Sequence, residues 1–288
     1  MTTTSMNPPP RPPLHPRRRV IDDGIPFRES IITSRERNGN RPVERPQVLY
    51  QQMPWRITNS MMKRTLRRNE WPKNPLDRDG PRIPPPANYP RRWKIDRTAL
   101  RYLWVYSDFP IPTHHNTFQD TGSCYHLVQR FRNTKRLVDL PADKKEVIKA
   151  QLREIHREYR TWSTCRPGLP RTPYMVPPSR VTAGGWKIHS VWKPRRDLPP
   201  GDYYFAHNDL TQNNVLVDET GQYIVAITDW DCCGYWPEWF EKPLWELDDP
   251  KDAEKGDPEE IERCRQWLMD NCEEVVMEHI PEPDWTAE

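Results

Sequence analysis

One stretch, Phe205 to Gly234, reading FAHNDLTQNNVLVDETGQYIVAITDWDCCG, constrains this chain more than any other. It sets polar groups at both ends of an apolar hairpin. Val215, Leu216 and Val217 form a short apolar strand, Asp218 to Gly221 supply turn residues, and Tyr223 to Thr228 are rich in β-branched and aromatic side chains. A hairpin of this length returns the chain on itself. Asn214, just before the first strand, and Asp229, just after the second, are therefore expected side by side, with His207 and Asp209 in the loop that leads in. Asp and Asn are also common in turns for local hydrogen-bonding reasons, so any one of these residues alone reads as structural. All four at these offsets predict a site.

The residue types suit phosphoryl transfer. Moving a phosphoryl group from a nucleotide to a hydroxyl needs a carboxylate near the attacking oxygen and Mg²⁺ held against the phosphates, because catalysis there is mostly positioning and charge neutralisation. Mg²⁺ takes hard oxygen ligands and usually only one or two carboxylates from the protein. Asn214 and Asp229 meet that demand.

The run His207-Asn208-Asp209-Leu210-Thr211-Gln212-Asn213-Asn214, followed by Ile227-Thr228-Asp229-Trp230-Asp231, resembles two motifs of the aminoglycoside phosphotransferase and choline kinase-like family, whose fold is protein-kinase-like. The family's catalytic loop reads His-Gly/Asn-Asp-Leu-x-x-x-Asn and its metal-binding turn Ile-x-Asp-Trp/Phe-Glu/Asp. Residues Gly234 to Glu241 continue the likeness. Carried over position by position, the resemblance implies Asp209 as the catalytic base and His207 as a support for the loop. It implies Asn214 and Asp229 as Mg²⁺ ligands, and Asp231 as either a contact to a second metal or a brace for the turn. It also implies ATP as the donor, its adenine against the backbone of a hinge at Val128 to Phe131, which makes Gln129, Arg130 and Phe131 the expected cofactor-binding residues. The acceptor it implies is a hydroxyl of a small molecule, whose identity lies in loops with no legible pattern.

Charge divides the chain. The net charge of +3 conceals 20 Lys and Arg against 8 Asp and Glu in residues 1–95, and 24 against 33 in the remainder. The first 90 residues also carry half of the 34 prolines and few periodic apolar positions, which predicts a basic arm that buries too little surface to offset its ordering entropy. With Trp55, Trp71 and Tyr89 such an arm has the charge for nucleic acid or an acidic partner, although no nucleic-acid module is legible in it. Its Arg-rich start lacks acids as far as Val20, as a transit peptide does, but the prolines work against the amphipathic helix such a peptide needs. The six cysteines show no zinc spacing and are read as free thiols in a reducing, cytoplasmic compartment. No apolar run approaches the ~20 residues that span a bilayer.

The expected architecture is α+β and kinase-like in three parts. Residues 1–95 form the arm, 96–133 a reduced N-terminal lobe of helix plus hairpin ending in the hinge, and 134–288 a mainly helical C-terminal lobe carrying the catalytic hairpin. Leu100, Leu103 and Trp104 fall at helical spacing within Thr98 to Tyr106, and two strands are expected at Thr113 to Phe118 and Ser123 to Phe131. Asp143 to Trp162 is the clearest helix, with Ile148, Leu152, Ile155, Tyr159 and Trp162 on one stripe and His156 at its boundary. Residues 163–200 read as a proline-rich loop with a short strand near Trp186 to Val191. Asp257 and Pro258 open a last helix whose stripe runs Ile261, Cys264, Leu268, Cys272 and Val275, and the aromatics Tyr235, Trp236, Trp239, Phe240 and Trp245 are expected to pack.

A kinase-like small lobe also uses a glycine-rich loop over the phosphates and a strand Lys paired with a helix Glu. Upstream of Asp96 the glycines are Gly24, Gly39 and Gly80, without a Gly-x-Gly, and the lysines Lys63, Lys73 and Lys94 stand in no apolar strand. The family's partner Glu aligns with Thr98, and Asp96, two residues early, is expected to face elsewhere. Two functions follow: a small-molecule kinase using Mg-ATP, or a pseudokinase that acts as a scaffold.

Overall fold

The structure, a computed structural model, describes residues 51–57, 60–74, 77–247, 249, 252 and 256–281. The expectations for the first 50 residues, the transit-like start among them, lie outside the described residues. Strands β1 (Gln51–Ile57) and β2 (Ser60–Thr65) form an antiparallel hairpin. A second, small hairpin follows in β3 (Lys73–Asn74) and β4 (Asp77–Arg82), then helix α1 (Tyr89–Tyr106) and the hairpin β5 (His114–Gln119) and β6 (Cys124–Gln129). One four-stranded sheet runs in the order β1-β2-β6-β5. Two of its strands thus come from before residue 95, the part expected to be unpacked.

The reason that β2 escapes an apolar scan is a buried charge. Its inner face carries Met62, packed on Tyr125 and Leu127, but also Arg64, whose guanidinium forks onto Glu70 at 2.7 and 2.8 Å. A bidentate carboxylate partner is what lets an arginine sit there. On the opposite face, by the two-residue period of a strand, are Met61 and Lys63.

Helix α1 begins at Tyr89, earlier than the expected Thr98, with Pro90 in its first turn where the missing N–H is harmless. Its first half is hidden by charge, because the buried side chains Trp93, Ile95 and Asp96 alternate with Arg91, Arg92, Lys94 and Arg97. Leu100 and Leu103 are buried as expected, whereas Trp104 is 63% exposed.

After β6 come β7 (Thr134–Arg136), α2 (Ala142–Tyr159), β8 (Ser163–Thr164), β9 (Ser190–Pro194), β10 (Tyr203–Ala206), β11 (Val215–Asp218), β12 (Ile224–Ile227), β13 (Gly234–Trp236), α3 (Pro258–Asn271) and β14 (Cys272–Val276). They build the antiparallel sheets β12-β11-β7, β13-β10-β8 and β14-β9. Among the described residues this part has two α-helices and eight short strands, so it is not the mainly helical unit expected. The difference lies in strands too short to show a period. Helix α2 buries Ile148, Leu152 and Tyr159 against Val215, Val217, Ile227 and Trp230 in the main core. Trp236 and Phe240 join a second core with Cys264 and Leu268 of α3, and Trp245 is also buried. Asp257 caps α3 by accepting from the Glu259 amide at 3.0 Å. The helical stripe expected to include Cys272 and Val275 stops at Asn271, and those two residues continue as β14 against β9, where β-branched Val275 and Val276 are at home. The fold is α+β, with mixed helices and small antiparallel sheets. Among the described residues no helix is long and apolar enough to cross a membrane, and the six cysteines are free thiols, all buried but Cys165.

Candidate active site

The hairpin β11–β12 forms where the sequence placed it, with Val215 opposite Ile227 and Leu216 opposite Ala226. Val215, Val217, Ala226 and Ile227 are fully buried, and a one-residue slip of β11 would turn Val215 and Val217 out of the core, which holds its register. At its open end the Thr228 amide and hydroxyl both donate to the Asn214 carbonyl, at 2.8 and 3.2 Å, so Asn214 and Asp229 flank one rung.

Two residues there adopt left-handed backbone, Asn208 at φ 65° and Asp229 at φ 61°. Outside glycine such geometry survives only where the surroundings impose it. Around Asn208 they do: its amide donates to Glu241 at 3.2 Å, its side chain donates to the Cys232 carbonyl at 3.3 Å, and its own carbonyl accepts from buried Arg180 at 2.9 Å. Beyond Asp229, the Trp230 amide donates to the Asp96 carboxylate at 2.8 Å and the indole donates to the Ile227 carbonyl at 2.8 Å. Farther on, a Cβ at Gly234, whose φ is 150°, would meet the Gly168 carbonyl carbon at 3.2 Å, so the segment leaving the turn needs glycine to pack there.

Glu241 anchors the loop that carries His207 and Asp209. Its Oε1 accepts from the amides of His207 at 2.7 Å and Asn208 at 3.2 Å and from the Tyr159 hydroxyl at 3.0 Å, while Oε2 faces His156 Nε2 at 3.2 Å. Burial works to raise its pKa, but the bond from His156 and the charges of His156 and Arg160 outweigh that and hold the carboxyl below its ordinary value. Sequence reasoning placed Glu241 only in the tail of a motif, and His156 at a helix boundary; neither carries a local signal for this contact.

His207 joins the Asp209 backbone to Thr228. Its Nδ1 accepts from the Asp209 amide at 3.2 Å and its Nε2 faces the Thr228 carbonyl at 3.1 Å, which assigns the ring proton to Nε2. The ring packs on Trp230, 4.3 Å between centroids, and burial lowers its pKa. A neutral, fully engaged imidazole ties the loop to the hairpin.

Asp209 and Asn214 meet directly: Nδ2 of Asn214 donates to the Asp209 carbonyl at 2.7 Å and to its carboxylate at 3.2 Å. With the amide nitrogen so used, Asn214 has its Oδ1 left to offer. Burial, and after it the carboxylates of Asp231 and Asp229, push the Asp209 carboxyl up to about 7 against the opposing charges of Arg92 and Arg180. Asp229 and Asp231 each face a cation, Lys63 at 2.6 Å and Arg92 at 3.3 Å, while the Asp209 carboxylate and Asn214 Oδ1 are hard oxygen donors of the kind that a divalent cation takes. Among the described residues no three His, Cys, Asp or Glu side chains are grouped as a metal cage. A Mg²⁺ site of two protein oxygens completed by phosphates and water needs none. Asp231 pairs with Arg92 of α1 at 3.3 Å.

Two expectations about the small sheet are overturned. Lys63 does stand in a strand, β2, and its ammonium donates to Asp229 at 2.6 Å across the cleft. Burial lowers its pKa, but Asp229 outweighs this and raises it, and Lys63 in turn holds Asp229 below the ordinary carboxyl value despite burial. Asp96 does not face elsewhere. The helix starts earlier and presents it inward, beside Lys63, where it bonds His126 Nε2 at 2.9 Å and the Trp230 amide, while Thr98 merely bonds back to the Lys94 carbonyl at 2.8 Å.

Lys63, Asp96, His126 and Asp229 line a cavity of about 700 Å³ that Gln129, Arg130 and Phe131 also line. Gln129 is partly committed, because its amide donates to the Thr113 carbonyl at 2.8 Å and its Oε1 accepts from the Thr113 amide at 3.1 Å. No curated protein matches the chain. Residues 115–241, which span both motifs, match the model of the phosphotransferase enzyme family, and the resemblance read from His207 to Asn214 and from Ile227 to Asp231 is to that family.

Proposed function

We propose that this chain transfers the γ-phosphoryl group of ATP to a hydroxyl of a small molecule, with Mg²⁺. The observation that carries the reading is the Lys63–Asp229 ion pair. It joins residues 166 apart in sequence and sets a strand ammonium beside the metal-side carboxylate at the end of a cavity sized for a nucleotide. The sheet β1-β2-β6-β5 with α1 is read as the small lobe of a protein-kinase-like fold, and Gln129 to Phe131 as its hinge against the adenine.

In this reading Asp209 accepts the acceptor's proton, and its raised proton affinity suits a base. Asn214 Oδ1 and Asp229 would hold Mg²⁺, which when bound neutralises phosphate charge. His207 and Glu241 fix the loop, and Lys63 neutralises phosphate oxygens from the strand side. The two residues that join β1 to β2, Thr58 and Asn59, include no glycine, so the phosphate clamp rests on Lys63. A strand lysine beside Asp229 favours the kinase reading over the scaffold alternative.

The test is a titration of ATP with and without Mg²⁺, read as thermal stabilisation, on the wild-type chain and on Lys63→Met. A ligand at a hundredfold excess over its Kd adds about 2.7 kcal/mol. Wild type should be stabilised by Mg-ATP, and K63M should lose tenfold or more in affinity while staying folded, since a charge-assisted bond contributes about 1.5–3 kcal/mol. No stabilisation of wild type at millimolar Mg-ATP would leave the scaffold reading standing instead.

A further inference from the structure

Within residues 163–200, the stretch that reads as a loop, stands a buried charge, Arg180, 1% exposed. Pro177 and Pro178 precede it, and fully buried Val181 follows it into the second core. Helix α3 holds the same segment, since Arg265 donates to the Val181 carbonyl at 2.9 Å and to the Ala183 carbonyl at 2.8 Å. The guanidinium is thus carried on a fixed stem. Its Nη1 donates to the Asn208 carbonyl at 2.9 Å, and its Nη2 donates to the Phe240 carbonyl and, at 3.3 Å, to Glu260 of α3. A planar fork serves two carbonyls and a carboxylate at once, and the carboxylate makes the buried charge tolerable.

The Asn208 carbonyl belongs to the peptide that leads into Asp209. That peptide is held at both edges, by Arg180 at its oxygen and by His207 Nδ1, which accepts from the Asp209 amide at 3.2 Å. A planar unit gripped on both edges does not turn, so Asn208 keeps its left-handed φ of 65° and Asp209 leaves it in one direction. The carbonyl and carboxylate of Asp209 then accept from Nδ2 of Asn214 at 2.7 and 3.2 Å, which orients the amide and leaves Oδ1 as its free end.

We infer that Arg180, held by Glu260, is a positioning residue: it fixes the Asn208–Asp209 peptide and through it the Asn214 amide, so that Oδ1 is presented to Mg²⁺ in one orientation. The inference rests on the phosphotransferase reading and deepens it, carrying the support of the metal site beyond residues 115–241 into α3. Groups that orient a metal's ligands commonly matter tenfold to a hundredfold in metal affinity. The sign of the effect separates position from charge. Taking a cation away from a Mg²⁺ site relieves repulsion and strengthens binding, whereas loss of orientation weakens it.

The test is the ratio of ATP affinity with Mg²⁺ to that without it, measured on the full chain by calorimetric titration, with urea denaturation alongside. In the double variant Arg180→Met with Glu260→Met the net charge is unchanged and apolar side chains fill the space, so the protein should keep most of its stability. Its ratio should nevertheless fall about tenfold, with metal-free ATP affinity unchanged. A merely structural role would return the ratio together with the stability. If the double variant fails to fold, Arg180→Lys, which keeps a cation for Glu260 but lacks the fork that spans both carbonyls, should lower the ratio severalfold. In the folded variant, an unchanged or raised ratio, or equal loss with and without Mg²⁺, overturns the role of Arg180. A wild-type chain that binds ATP no better with Mg²⁺ overturns the phosphotransferase reading, and the role of Arg180 with it.

Discussion

Removing the charge at position 209 should make the metal-free protein more stable while abolishing transfer. Asp209 is pushed from an ordinary 3.8 up to about 7 by burial and by the neighbouring carboxylates of Asp231 and Asp229. Its folded pKa is raised, so the stability it contributes is fully present below pH 3.8 and is lost as pH climbs through 7, where folding must force the charge into an unfavourable place. At about 1.4 kcal/mol per unit, the loss reaches at most about 4 kcal/mol above pH 7. Asp209→Asn keeps an oxygen for the 3.2 Å bond from Asn214 and carries no charge. Urea denaturation in Mg²⁺-free buffer at pH 4, 5.5, 7 and 8.5 should therefore show variant and wild type alike at the acid end, with the variant pulling ahead as pH rises. Equal stability at pH 8.5 would mean that the charge at position 209 is not disfavoured in this cleft, and the argument for Asp209 as a base would fail.

Two further substitutions probe how the loop is held. Glu241→Ala strips the acceptor from the amides of His207 and Asn208 and from Tyr159, and should cost about 3–5 kcal/mol in chemical denaturation. Because the Glu241 carboxyl is held below its ordinary 4.5, its stabilisation is complete above that pH and is lost as pH falls through the folded value, so Glu241→Gln should flatten the acid limb of the stability curve. Arg180→Met removes a buried guanidinium from the Asn208 and Phe240 carbonyls and leaves Glu260 buried without its cation, again about 3–5 kcal/mol in urea. Adding Glu260→Met should restore much of it, and no recovery in the double variant would show that the carbonyl contacts outweigh the ion pair.

What the sequence disclosed was local. The β11–β12 hairpin and its turn, which bring Asn214 near Asp229, follow from two short apolar runs around a turn within fourteen or so residues, where loop closure is cheap and the pattern is self-contained. Helix α2 was legible for the same reason, as was the cap of α3. The small sheet was not. Strand β2 reads as polar because its buried face includes Arg64, neutralised by Glu70, and α1 reads as too short because its inner stripe contains Asp96, hydrogen-bonded to His126. Each buried charge is intelligible only with its partner, and no apolar count can supply the partner.

The same asymmetry explains the error about the clamp. Lining up a helix carboxylate by its distance from Leu100 assumes that the helix carries the pairing residue at a fixed offset and that the pair is made directly to the lysine. Neither holds, since Asp96 lies 134 residues from the Trp230 amide that it accepts from, 30 from the histidine that steadies it, and leaves the lysine to Asp229. The polar contacts that cross the cleft thus join elements far apart in the chain. A local apolar pattern specifies the hairpin, but orientation across the cleft depends on bonds in which each partner's burial is tolerable only because the other is there. A substitution at Asp96 or His126 should therefore be felt at Asp229 more than in the stability of its own helix or strand, which is a property that neither element's sequence contains by itself.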